Sequence, residues 1–254
     1  ALLADYICLS RKELGKMPEK PAIIRSIVTS SLGDRIARSY GVETVECLTG
    51  FKWIAAVMAE FEATSSHSYI FGYEESYGYN IETEVRDKDG ISAAALCAEM
   101  TLYWRSKGKS LLDRLNDIWT AQGYFHDKSI SKAFPGAAGG QTMKNLMAKL
   151  RTEGLTQIGG VRVETIRDIK EGKIYAPGNS ASGKPTGLPP SNVLQFFLED
   201  GTTVSARPSG TEPKIKFYIS CVVDSGNGIE AAKKAAERKI AAIETDITSI
   251  LEKA

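Results

Sequence analysis

The sequence is poor in histidine: His67 and His126 are the only two in 254 residues. They stand far apart in no metal-ligand spacing, so both are read as non-catalytic. The four cysteines, Cys8, Cys47, Cys97 and Cys221, form no CxxC pair. Each has apolar neighbours, so all four are expected to be reduced, buried thiols of a cytoplasmic protein. No apolar run approaches the ~20 residues of a membrane span, and nothing resembles a signal peptide. Net charge is only +1, so nucleic acid is not an expected partner and any anion site must be a local cluster. There is no strand–GxGxxG–helix nucleotide fingerprint and no internal repeat. The chain also lacks an initiator Met. It starts Ala1-Leu2-Leu3-Ala4-Asp5-Tyr6-Ile7, an apolar run that reads as helix interior, and the expectation is a piece of a longer protein.

What is present is ordinary globular material, 43% hydrophobic and 25% charged. Its length allows one large domain or two of usual size. After a helix at 2–9, the β-branched run Ile23–Thr29 predicts a buried strand. Ser30-Ser31 suggests a cap for a helix over 32–40, which Gly41 closes. Val42–Leu48 reads as a second strand. Gly50 then leads into a helix, 51–61, with Trp53, Ile54, Val57, Met58 and Phe61 on one side. Tyr69–Gly72 is a third strand, followed by a loop, Tyr73–Tyr79. Helices are expected over 91–106 and 110–122. This alternation predicts an α/β domain with a mostly parallel sheet, residues 1–122, binding ligands at loops after strand ends. Gly123–Gly140, with its glycines, serines and Pro135, reads as the region of a domain boundary.

Residues 123–254 are expected to form an α+β domain with an antiparallel sheet and packed helices. The predicted elements are a helix at 142–151 and strands at 161–166, 193–198, 202–206 and 215–223. A mobile loop at 172–190 and a last helix at 229–251, with an isoleucine stripe at 240, 243, 247 and 250, complete it.

Four segments could hold chemistry. Arg207-Pro208-Ser209-Gly210-Thr211-Glu212-Pro213-Lys214 lies between two strands. A guanidinium can fork onto phosphate oxygens, two hydroxyls can donate, and a glycine lets backbone N–H approach an anion. A plain hairpin turn would use many of the same residues. Gly72-Tyr73-Glu74-Glu75-Ser76-Tyr77-Gly78-Tyr79 places acids and a serine among aromatics, which suits a polyhydroxylated ligand or, equally, a solvated acidic turn. In Gly50-Phe51-Lys52-Trp53, free N–H groups at a helix start and Lys52 could meet an anion, although a surface lysine there is unremarkable. Arg86-Asp87-Lys88-Asp89-Gly90 precedes a helix that Asp89 can cap. Lys88, beside other cations, is a candidate for proton handling.

Together and in this order, RPSGTEPK, GYEESYG, GFKW and RDKDG resemble motifs of the phosphohexomutase superfamily (phosphoglucomutase, phosphomannomutase and relatives). The resemblance spans nearly the whole chain and corresponds to the third and fourth of the family's four domains. It implies two-step phosphoryl transfer through a bisphosphorylated sugar, interconverting hexose 1- and 6-phosphates. Arg207, Ser209, Gly210, Thr211 and Lys214 would hold the non-reacting phosphate, and Lys52 another anionic group. Glu74 and Ser76 would hold sugar hydroxyls, and Lys88 would serve the reacting hydroxyl.

The family's phosphoserine loop and its three-aspartate Mg²⁺ loop have no counterpart in the sequence. Mg²⁺ and glucose 1,6-bisphosphate are therefore expected for the full-length enzyme and not for this chain's own residues. N-terminal domains of the same protein and a sugar phosphate are its implied partners. By this reading the chain alone binds without turnover. Tyr73 and Tyr77 stand where the family's G-E-x-S-G has glycine, the form of the branch that includes pentose-phosphate mutases. That argues against amino sugars and leaves glucose, mannose and pentose phosphates open. A phosphopentomutase and a stand-alone sugar-phosphate-binding module are the alternatives.

Overall fold

The computed structural model describes every residue except Ala137, Thr211 and Ala254. The chain divides into two compact units, Ala1–Gly123 and Tyr124–Ala254.

The first unit runs α1 (Leu2–Glu13), β1 (Pro21–Ser26), α2 (Leu32–Ser39), β2 (Glu43–Cys47), α3 (Phe51–Thr64), β3 (Ser68–Glu74), β4 (Gly78–Asn80), α4 (Gly90–Ser106) and α5 (Leu111–Gln122). Its sheet has the order β2-β1-β3-β4. β1 is parallel to both β2 and β3, and β4 turns back antiparallel on β3. β1 is central, and its side chains alternate between two apolar layers. Ile23 joins Leu3, Ile7, Phe71, Met100 and Trp104 on one face. Ala22 and Ile24 join Phe51, Ile54, Met58 and Phe61 of α3 on the other.

Three buried polar contacts tie the helices together. Arg114 of α5 forks onto Asp5 of α1 at 2.8 and 2.6 Å, and Tyr40 donates to the same carboxylate at 2.9 Å. Satisfied in this way, a buried acid costs little and fixes helix register.

The second unit begins with β5 (Tyr124–Ala133), α6 (Gly139–Thr152), β6 (Gln157–Ile158), β7 (Val161–Asp168) and β8 (Lys173–Tyr175). A 3₁₀ turn at Ser180–Ser182 follows, then β9 (Lys184–Pro185), β10 (Leu194–Leu198), β11 (Thr203–Pro208), β12 (Lys214–Val223) and α7 (Ile229–Glu252). The strands form an antiparallel sheet ordered β5-β12-β11-β10-β7-β8-β9, with β6 paired to β7. Ala232, Ala236, Ile240, Ile243, Ile247 and Leu251 make the buried stripe of α7. Among the described residues no helix is long and apolar enough to cross a membrane.

An α/β unit with a mostly parallel sheet followed by an antiparallel α+β unit matches the expected architecture. Several local expectations fail. The units divide at Gly123, inside the segment read as a boundary region, but that segment also holds an unread strand, β5, which pairs with β12 at ten successive positions. Its pattern is polar because β5 is an edge strand, exposed over most of its length. The expected loop at 172–190 contains β8 and β9. Of the Ser30-Ser31 pair, Ser31 makes no side-chain cap bond to α2, while Ser30 Oγ accepts from Leu32 N at 3.4 Å. Cys97 is exposed, whereas Cys8, Cys47 and Cys221 are buried as expected. On α4, Ala94, Ala95 and Ala98 are apolar but exposed alongside Cys97, which local composition cannot reveal.

Candidate functional site

In the first unit, the segment expected as a loop after Tyr69–Gly72 is a strand–turn–strand hairpin. Register pairs Tyr73 with Tyr79 and Glu74 with Gly78. The turn, Glu75 to Tyr77, closes with Tyr77 in the left-handed region at φ 61° and 86% exposed. Glu74 thus ends a strand next to a parallel neighbour, where α/β sheets present ligand-binding groups.

Gly78 explains how Glu74 is held. A Cβ at this position would lie 2.7 Å from Phe51 Cε2, 2.8 Å from Glu74 Cγ and 2.9 Å from Glu74 Oε1. The Glu74 side chain and the Phe51 ring therefore close over the glycine from two sides. Lys88 Nζ stands 5.8 Å from the centre of the Phe51 ring, and Asp87 Oδ1 lies 3.5 Å from it. Phe51 opens α3, and the next residue, Lys52, is exposed with Nζ 5.4 Å from the Trp53 ring centre.

Three of the sequence-derived segments, GFKW, GYEESYG and RDKDG, therefore converge around one phenylalanine. Gly78→Ala is expected to displace Glu74 and destabilise this unit by about 1–3 kcal/mol through overpacking. Thermal denaturation followed by tryptophan fluorescence measures it, and a wild-type melting temperature would show that Glu74 is not confined by this contact.

Sequence reasoning missed the residue that holds the Lys88 segment. Asn80, 2% exposed, donates Nδ2 to Val85 O at 2.6 Å and to Asp87 O at 2.9 Å. Its Oδ1 accepts from Tyr69 Oη at 2.6 Å, and the same hydroxyl lies 2.8 Å from Asn80 O. Asp89 N donates to Tyr79 O at 2.8 Å, a second tether. Asp89 also caps α4, accepting from Ile91 N at 2.8 Å and Ser92 N at 3.3 Å. Hydrogen bonding from Ser92 and Ile91 holds its carboxyl below the usual aspartate range. The only sequence signal for Asn80 was a polar residue directly after an aromatic strand.

Behind the hairpin lies Arg25 of β1, 4% exposed. It forks onto Asp34 at 2.5 Å on both arms and reaches Glu46 Oε1 at 2.9 Å. It also donates to Ser26 O and Thr29 O at 3.1 Å, bracing the β1–α2 turn. This group too went unread, because an arginine in a β-branched run looks like an interruption.

In the second unit, β11 and β12 form a hairpin, with Arg207 and Pro208 ending β11, Lys214 opening β12 and residues 209–213 connecting them. Ser209 N donates to Lys214 O at 2.7 Å and Lys214 N to Glu212 O at 2.8 Å. Glu212 N donates to Ser209 Oγ at 3.4 Å. Among the described residues, and leaving aside its chain neighbours, nothing lies within 4 Å of the Cβ position of Gly210. Thr211 lies outside the described residues.

Register pairs Arg207 with Lys216, so both project from the same face of the sheet, and Lys214 shares that face by alternation. Directly opposed cations repel each other. A bound anion would relieve that repulsion, which makes Lys216 a third candidate cation that the eight-residue motif had left out. Strand alternation beyond Lys214 was its only sequence signal.

The sequence-derived residues thus fall into two groups, each described within its own unit: Glu74, Ser76, Lys52 and Lys88 in the first, and Arg207, Ser209, Gly210 and Lys214 in the second. Among the described residues no group of three or more His, Cys, Asp or Glu side chains could hold a metal ion.

Comparison with known proteins bears on the family and the fold. Residues 1–121 match the family model described as phosphoglucomutase/phosphomannomutase, alpha/beta/alpha domain III. The phosphoglucomutase of Staphylococcus haemolyticus is 38% identical over 226 residues, 89% of this chain and 40% of that protein. That of Staphylococcus aureus is 35% identical over 220 residues, 87% of this chain and 38% of that protein. The chain therefore spans about 40% of the length of the curated relatives it matches.

Among solved structures, Paramecium pp63/parafusin, a phosphoglucomutase in an open form, aligns with a TM-score of 0.62 at 18% identity. It covers 99% of this chain and 40% of its own. A phosphoglucomutase/phosphomannomutase family protein of Burkholderia thailandensis aligns with a TM-score of 0.52 at 15% identity, over 96% of this chain and 41% of its own. At such identities the likeness is one of fold. Residues 1–121 of this chain thus match the α/β/α domain III of the phosphoglucomutase/phosphomannomutase family.

Proposed function

We propose that this chain is the sugar- and phosphate-recognising part of a phosphohexomutase that interconverts hexose 1- and 6-phosphates through a bisphosphorylated sugar. The observation that supports it most is the convergence of Glu74, Gly78 and Lys88 on Phe51, within the residues that match the family's third domain. In this reading the carboxylate of Glu74 and the hydroxyl of Ser76 hold vicinal sugar hydroxyls. Lys88, raised beside them on an aromatic face, is the cation nearest the reacting oxygen. Lys52 adds charge at the same edge.

The 207–214 turn takes the distal phosphate. Arg207 supplies the fork, Ser209 and Thr211 hydroxyls, Gly210 its backbone N–H, and Lys214 a further charge. Residues 123–254 then correspond to the family's C-terminal domain. The phosphorylated serine, the Mg²⁺ site and the remaining domains belong to other parts of the full-length enzyme, which is a cytoplasmic isomerase primed by glucose 1,6-bisphosphate. Phosphoryl transfer of this kind depends on positioning and on charge stabilisation, and recognition groups of this sort supply the positioning.

Calorimetric titration with glucose 6-phosphate tests the proposal. Binding is expected, and Arg207→Ala should weaken it by about 1.5–3 kcal/mol, the contribution of a charge-assisted hydrogen bond. Equal affinity of variant and wild type would remove the 207–214 turn from the site.

A further inference from the structure

Between the two residues assigned to sugar hydroxyls stands Glu75, and its carboxylate turns back into the protein. Oε2 accepts from Ser26 Oγ at 2.9 Å and from Thr29 Oγ1 at 3.1 Å. The Glu75 backbone N–H donates to Thr29 Oγ1 at 3.1 Å. Ser26 Oγ and Thr29 Oγ1 are themselves 2.9 Å apart. Ser26 is wholly buried and Thr29 nearly so, and Arg25 fixes the carbonyls of both residues from below. The other oxygen, Oε1, accepts from Ser76 Oγ at 3.2 Å.

Proton counting gives this arrangement a direction. Each hydroxyl has one proton to give, and an ionised carboxylate can only accept. The protons of Ser26 and Thr29 go to Oε2, which seats the turn on the β1–α2 loop. The proton of Ser76 goes to Oε1, so the lone pairs of Ser76 Oγ are left to meet an incoming donor. Glu74 is also an acceptor. Two acceptors in one turn suit two sugar hydroxyls that both donate.

We propose that Glu75 is a positioning residue. It anchors the Glu75–Tyr77 turn to Ser26 and Thr29 and sets the polarity of Ser76, so that Ser76 and Glu74 together accept from vicinal hydroxyls of the sugar phosphate. This rests on the reading of Glu74 and Ser76 as sugar contacts. The local sequence carries no hint of it, since Ser26 and Thr29 lie about fifty residues upstream.

The test uses calorimetry with two ligands, glucose 6-phosphate and inorganic phosphate, and amide hydrogen exchange over residues 74–77. Glu75→Ala should weaken glucose 6-phosphate binding about tenfold, as expected for a lost charge-assisted contact. It should leave inorganic phosphate binding at the 207–214 turn unchanged and speed exchange at 74–77. Ser26→Ala combined with Thr29→Ala should reproduce that weakening, and adding Glu75→Ala should add little, because the three act as a unit. Glu75→Gln, which keeps an acceptor oxygen, should recover part of the affinity.

Wild-type affinity for glucose 6-phosphate and unchanged exchange in Glu75→Ala would overturn the anchor while leaving the sugar site intact. Equal loss for both ligands would also overturn it, since the effect would then be one on folding. Failure of the wild-type chain to bind glucose 6-phosphate would remove the functional reading itself, and the inference with it.

Discussion

Arg25→Met is expected to lower the stability of the first unit by about 3 kcal/mol, the low end for breaking a buried ion pair by deleting one partner. Arg25 sits on the central strand at 4% exposure and holds Asp34, Glu46 and two carbonyls at once. Methionine fills a similar volume but removes the guanidinium that both carboxylates share. Their side chains are 21% and 30% exposed, so water recovers part of the loss, which is why the low end applies. Burial works against the charge of Arg25, yet its bonds to Asp34 outweigh that effect and hold the guanidinium above its usual pKa.

Urea denaturation gives the measurement. The three tryptophans, Trp53, Trp104 and Trp119, all lie within Ala1–Gly123, so their fluorescence reports that unit alone. A loss below about 1 kcal/mol would mean that Asp34 and Glu46 reach solvent freely once the arginine is gone.

Asn80→Ala should cost about 2–4 kcal/mol and free the segment that presents Lys88. Three side-chain hydrogen bonds are lost, each worth about 0.5–1.5 kcal/mol net, and the site is too buried for water to replace them fully. The Tyr69 hydroxyl keeps its contact with Asn80 O, which limits the damage on the strand side. Damage on the loop side has no such limit, because Val85 O and Asp87 O receive their donor from this one amide group. Amide exchange at 81–88 should rise at least tenfold while the core of the unit remains folded. Exchange unchanged there would show that the Asp89–Tyr79 backbone bond alone secures the segment. If Lys88 acts at the reacting hydroxyl, the same change in the full-length enzyme should lower kcat more than it raises KM.

The candidate site was legible in proportion to how local its residues are. The 207–214 turn and the Glu74–Ser76 pair stand in short motifs, and each motif's chemistry is evident from its side chains. Their supports are not local. Ser26 and Thr29, braced by Arg25, reach Glu75 from the neighbouring parallel strand and the loop after it, and Asn80 looks like any polar residue at a strand end. Lys216 enters only through strand register, where a directly opposed arginine gives its charge a consequence. β5 was missed for the same reason: an edge strand needs only backbone partners, so its side chains need not be apolar.

By itself the sequence determined the order of the helices and longer strands other than β5, the change from parallel to antiparallel architecture, and the segments proposed to meet a sugar phosphate. Periodicity and residue type suffice for these, because burial of an apolar face and the donor inventory of a loop are properties of neighbouring residues. Only the tertiary structure decided that Phe51, Glu74, Gly78 and Lys88 meet at one point, that Glu75 faces inward, and that Arg25 braces the turn beneath it. Those facts depend on which strands lie side by side and in what register. That is settled by packing across the sheet, between residues that the chain itself keeps tens of positions apart.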